Sequence, residues 1–283
     1  DFGDLTEAIG LPGCTGNSIR GVRGGGAGED PQDRKSDVID YVAIASTGDA
    51  ADFGDLTAGV HGKYATSNAH GGLEVGVIQR PSVNYMPGSG RALFGGGYIA
   101  PEPNTTNINL NHITTLGNSS DFGDLTAAFA FMGSYSSLTR GFFVGGDDSS
   151  TVINAIEMAS QGNCFDFGDT TAVRGTGPGG NSSSTRGVLG GGGPAPSTSN
   201  IMDYVTMATA GDASDFGDLT LARFALGGNA NSPTRSVFTA GLTPSSSNVM
   251  DYITTATTGD ATDFGDMANN CLLYTSDAAD DLL

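Results

Sequence analysis

The stretch "TRGVLGGGGPAPSTSNIMDYVTMATAGDASDFGDLTLARFALGG", Thr185 to Gly228, is one period of a pattern that runs through the chain. An arginine leads an apolar run that ends in glycines, and a loop of Pro, Ser and Thr follows. "NIMDYVTMAT" (Asn200 to Thr209) is rich in β-branched residues and carries Tyr204, "GDAS" makes a turn, and "DFGDLT" opens a further run that closes with "ARFALGG" (Ala222 to Gly228). Related units start at Arg20, Arg91, Arg140 and Arg235, alongside Arg186 here, and the DFGD string begins at residues 1, 52, 121, 166, 215 and 263. A period of about 48 residues is the length of a propeller blade or a solenoid unit.

Asp-Phe-Gly is also the tripeptide with which a protein kinase holds magnesium. A catalytic metal ligand is needed once, whereas this string recurs, and the nearest match to the kinase strand motif, "YVAIAS" (Tyr41 to Ser46), has no lysine. The string is therefore read as structural. In a blade, Phe53, Phe122, Phe167 and Phe216 are expected to fill the space between neighbours.

Each unit predicts four strands. The Gly-rich strand after the arginine is expected where neighbouring strands crowd together, since glycine suits a close approach of backbones or a sharp turn. The runs containing Tyr41, Tyr204 and Tyr252 have apolar residues at both alternating parities, which predicts strands covered on both faces. "DFGDLT" is expected to begin the third strand and "ARFALGG" to supply the fourth. The expected fold is all-β: a β-propeller of about five four-stranded blades, beginning near Arg20, Arg91, Arg140, Arg186 and Arg235, within one domain at 1–270. The last blade is expected to lack its outer strand, with Asp1 to Leu11 closing the ring. An insertion at about 58–90 reads as loop decoration or a recognition loop.

Composition bounds the function. The formal charge is −19, from 12 basic and 31 acidic residues, which repels nucleic acid and anionic membranes. No apolar run approaches the roughly 20 residues of a membrane-spanning helix. The chain has 45 Gly and no Trp, but the glycines recur in register with apolar runs, which argues for ordered β structure. Cys14, Cys164 and Cys271 show no metal-ligand spacing. Residue 1 lies inside a repeat, so the sequence is expected to be a piece of a longer array. "CLLYTSDAADDLL" (271–283) departs from the repeat and resembles a translated sequencing adapter, so it is expected to be a non-native tail.

The order of glycine pair (Gly191, Gly192), polar loop, Tyr204, turn, aromatic (Phe216, where Trp is usual) and arginine resembles the kelch repeat family. The resemblance covers Arg20 to Asp266 and implies a propeller that binds proteins. The segments also resemble a repeat type found in virion structural proteins of marine tailed phages. A kelch-like branch of copper oxidases needs a cysteine crosslinked to tyrosine plus two histidines, and neither Cys14 nor Cys164 lies in a comparable setting, so no cofactor is implied.

Other chemistry is weaker. Asp260, Asp263 and Asp266 stand three apart, as do Asp49, Asp52 and Asp55 and Asp212, Asp215 and Asp218. Calcium favours such clusters, but Asp beside Gly is a turn signal, and turn formation or pairing with the repeat arginines is the expectation. His61 and His70 read as surface residues, His112 as occupying a tyrosine-like place, and Ala155 as a lost tyrosine. The expected function is a non-enzymatic structural or adhesive module, virion or extracellular, that contacts protein or a host-surface glycan. A cellular or secreted kelch-type scaffold and a propeller enzyme with a site at the ring mouth are the alternatives.

Overall fold

The computed structural model describes residues 2–17, 19–28, 35–68, 90–99, 104–146, 150–194, 197–232 and 234–271. Among them the chain is all-β, and five antiparallel sheets of four principal strands follow one another as blades of a propeller. Blade one comprises Gly13–Gly16, Arg20–Gly24, Val38–Ala43 and Ala51–Asp55. Blade two comprises Tyr64–Ser67, Arg91–Gly95, Asn107–His112 and Ser120–Asp124. Blade three runs through Gly133–Ser136, Arg140–Val144, Ser150–Glu157 and Phe165–Arg174. Blade four has Gly179–Ser182, Arg186–Gly190, Ser199–Thr206 and Ser214–Arg223. Blade five has Gly227–Asn231, Arg235–Thr239, Ser245–Thr254 and Thr262–Cys271, with Leu242–Thr243 folded back on its third strand.

The innermost strand is the one before the arginine, and the Gly-rich strand after it lies second. The reason is packing. Innermost strands are short and made mostly of small residues, so their backbones can touch: a Cβ on Gly180 would lie 2.1 Å from the Ser134 carbonyl oxygen of the neighbouring blade. The second strands instead carry Val188, Leu189, Phe142 and Phe143, whose bulk belongs between sheets. In blades three to five the DFGD string and the residues after it merge into one outer strand, in blades one and two the outer strand ends with the string at Asp55 and Asp124, and Phe224 to Leu226 cross to the next blade. Blade five is complete, because Thr262–Cys271 is its outer strand, with Cys271 opposite Ser247. Residues 2–6 are therefore not its closing strand. Residues 272–283 lie outside the described residues.

The hydrophobic core is divided into four slabs, one between each consecutive pair of blades. Between blades four and five, for example, Val188, Met202, Phe216 and Leu219 meet Leu226, Phe238 and Ile253. Equivalent slabs contain Phe53, Phe122 and Phe167. Each slab buries both faces of the sheets it joins, which explains the apolar residues at both parities.

Candidate functional site

The DFGD string forms a β-bulge. Met202 lies opposite Gly217 and Asp203 opposite Asp215, so Phe216 is the extra residue, and the same shift recurs in every blade. A bulge re-aims side chains, and here it turns Phe216 into the slab, 2% exposed, with its ring edge-on to Tyr204 at 5.9 Å between centroids. Tyr41 with Phe53 and Tyr252 with Phe264 repeat that geometry.

The string also latches each blade to the turn of the next. The Phe216 carbonyl accepts the Gly259 N–H at 2.7 Å, the Asp218 carbonyl accepts the Ala261 N–H at 2.8 Å, and the Asp218 N–H donates to Asp260 Oδ1 at 3.0 Å. The last of these bonds recurs at Asp55 with Asn118, Asp124 with Asn163 and Asp169 with Asp212. Gly217 is required at the latch, since its φ is +138° and a Cβ would stand 2.5 Å from the Gly259 backbone. Residues 2–4 make the same latch on blade one, through Gly48, Asp49 and Ala50. The turn aspartates thus bind backbone N–H groups of a neighbouring blade, and the repeat arginines do not pair with them. Among the described residues no cluster of three or more His, Cys, Asp or Glu could hold a metal.

The repeat arginines bridge blades. Arg20 Nη1 donates to the Ile113 carbonyl at 2.8 Å, Arg91 to Met158, Arg140 to Met207 and Ala208, and Arg186 to Thr255 and Ala256. Within their own blades Arg20, Arg186 and Arg235 lie over the rings of Tyr41, Tyr204 and Tyr252 at 4.7–4.8 Å. In blade three, where Ala155 stands opposite Phe142, Arg140 lies over Phe165 instead and pairs with Glu157. In blade two the tyrosine position belongs to Leu110, opposite Leu93, whereas His112 faces Arg91 two residues further on.

Sequence reasoning missed a second, buried arginine system. Arg174 and Arg223, at the ends of outer strands, are 0% exposed and pair with Asp203 and Asp251 of the following blade, whose carboxylates also accept from Thr171 and Thr220. Their Nη1 atoms cap the carbonyls of Gly191 and Ile201, and of Ala240 and Val249. Val60 and Phe129 hold the corresponding sequence positions, beyond the shorter outer strands of blades one and two, and the residues in place of the aspartates are the neutral Asn109 and Asn154, bonded to Thr57 and Thr126. In blade one Arg23 serves Asp40 with bonds of 2.7 and 2.6 Å. Burial pushes the Asp40 carboxyl up, but the bonds from Arg23 and Thr6 outweigh it and hold the pKa below the usual carboxylate range. At the fully buried Asp251 desolvation dominates and pushes the carboxyl up.

The remaining candidate is the axis. A cavity of about 230 Å³ is bounded by Leu5, Ile9, Leu11, Tyr64, Phe131 and Leu226, among others. Around it a backbone collar links the blades: Gly62 N–H to the Leu11 carbonyl, Phe131 to Gly62, Gly177 to Phe131 and Leu226 to Gly177. The cavity is mostly apolar and below the roughly 300–1,000 Å³ usual for small-molecule sites. His61 packs against Tyr98 and Phe131, and His70 lies outside the described residues. Lys63, nearby, is 2% exposed, and desolvation lowers its pKa to about 7. At the foot of the insertion the Asn68 N–H donates to the Arg91 carbonyl at 3.2 Å, matching Ser137 with Arg140 and Ser183 with Arg186. Residues 69–89 lie outside the described residues. No family model matches the chain, and no curated protein matches it.

Proposed function

We propose that this propeller is a non-catalytic structural or adhesive module that displays loops from a rigid frame, and that it belongs to a virion or tail-associated protein of a tailed phage. The observation that carries the reading is where the repeated side chains go. Phe, the latch Asp, Thr and the leading arginine join blade to blade, and the buried Arg174 and Arg223 pairs add to the last two joints, so the repeated side chains serve a frame. The connections differ most in length, the one between Asn68 and Arg91 above all, which suits contacts with a protein or a host-surface glycan, where binding groups are carried on loops over a stable scaffold. The virion assignment rests on the resemblance of the repeat itself, and the kelch likeness supports the wider category of interaction propeller.

The test is a binding screen of the intact chain against bacterial surface glycans and whole cells, run beside a panel of hydrolase and oxidase substrates. Saturable binding without turnover is the expected result. Turnover of any substrate that survives repurification would overturn the reading.

A further inference from the structure

Four groups that are engaged at every internal joint face outward on blade five. Phe264 is 50% exposed, whereas Phe53, Phe122, Phe167 and Phe216 are 1–2% exposed. A Cβ on Gly265 would meet nothing within 4 Å, whereas on Gly54, Gly123, Gly168 and Gly217 it would strike the next turn at 2.0–2.5 Å. Among the described residues no turn side chain accepts from the Asp266 N–H, as one does from Asp55, Asp124, Asp169 and Asp218. Arg235 lies over Tyr252 like its equivalents but reaches no next-blade carbonyl among the described residues.

The other wall is residues 2–10. Phe2 and Asp4 latch onto the blade-one turn as every outer strand latches onto its neighbour. Among the described residues no strand pairs with their opposite edge, where a complete blade has its third strand, and Phe2 and Leu5 are 40% and 47% exposed. Both walls border the axial cavity, through Leu5 and Ile9 on one side and Leu226 and Gly228 on the other. The backbone collar is also interrupted here, because among the described residues no bond joins Ala225 to Leu11.

We infer that this sector is a docking site for one further repeat unit of three strands. Its Gly-Asp turn would seat on Asp263 to Asp266, its slab residues would cover Phe264, and its third strand would take residues 2–10 as the fourth strand of the blade. The four internal joints define the partner's chemistry: a turn glycine N–H for the Phe264 carbonyl, a turn Asp or Asn for the Asp266 N–H, and third-strand carbonyls for Arg235. A second copy of the chain does not fit this description, since its blade-one turn already holds its own residues 2–4.

The test adds a fluorescently labelled peptide with the sequence of Gly227 to Thr262 to the intact chain and follows anisotropy. Saturable one-to-one binding is expected, and Phe264→Ala, at a half-exposed position that leaves the circular dichroism spectrum unchanged, should weaken it at least tenfold. In parallel, the same segment is joined after Asn270 by a flexible Gly-Ser linker, and the Asp266 amide should then become protected from hydrogen exchange. Absence of binding in trans together with an unprotected Asp266 amide in the fusion would overturn the inference. So would a concentration-dependent dimer of the unmodified chain that Phe264→Ala abolishes, because the occupant would then be a second copy.

Discussion

Phe216→Ala separates a structural role for the DFGD string from any other. Phe216 is 2% exposed in a slab with Met202, Leu226, Phe238 and Ile253, so truncation removes nearly all of a side chain that buries about 150–250 Å². The slab is closed by two sheets and cannot collapse into the space, which places the loss in the large-to-small range of about 3–5 kcal/mol. Phe264→Ala is the internal control, because the tripeptide and the tyrosine contact are the same but half the ring faces solvent. Half the area at about 25 cal/mol per Å², less what alanine itself covers and with no cavity left behind, gives about 1–2 kcal/mol. Urea unfolding followed by near-ultraviolet circular dichroism, with unchanged slope, measures both. Equal losses for the two variants, or a larger loss at Phe264, would refute the inter-blade assignment.

Three further outcomes follow from other joints. Gly217→Val should be far more destabilising than Gly265→Val in the same unfolding assay, because only the former drives a Cβ into the next turn. Arg223→Val alone should cost about 3–5 kcal/mol by leaving Asp251 buried and unpaired, while Arg223→Val with Asp251→Asn recreates the Val60 and Asn109 arrangement and should recover most of it, as a double-mutant cycle would report. Lys63 titrates near pH 7 when folded and near 10.4 when unfolded, so the unfolded state binds the extra proton between those values and stability rises with pH. The rise should be about 2 kcal/mol from pH 7 to 8.5, below the range where Cys164, whose pKa burial raises to about 12, works in the opposite sense; Lys63→Met should flatten it.

The propeller was legible because its unit recurs. A single DFGD would read as a turn or a metal loop, but repeated copies in register with Tyr204 and its equivalents exclude a once-only catalytic role. Strand order was harder to read. "GSYS" and "GGNS" are four-residue strands without apolar alternation, and nothing local distinguishes them from the turns beside them, so a reading from sequence starts the unit at the louder "RGVLG" and misses the strand before it. The Arg174–Asp203 and Arg223–Asp251 pairs each join different blades, and Arg223 and Asp251 stand 28 positions apart. A signal for them did exist within the chain: Thr-Ala-Val-Arg174 and Thr-Leu-Ala-Arg223 precede units with Asp203 and Asp251, whereas Val60 and Phe129 precede units with Asn109 and Asn154. Reading it requires knowing that an outer strand packs on the following blade, which is tertiary information.

The latch itself is tested most directly by amide hydrogen exchange. Gly117, Gly162, Gly211 and Gly259 sit in exposed turns, yet each donates its N–H to a Phe carbonyl of the preceding blade at 2.7–2.9 Å. Exposed turn amides ordinarily exchange through local fluctuation, whereas amides bonded across a joint open only when blades separate. The account predicts protection of these four amides, and of Asp55, Asp124, Asp169 and Asp218, close to the level of the central strands, with Asp266 exchanging fast. Fast exchange at the turn glycines, or protection at Asp266 equal to that at Asp218, would contradict it.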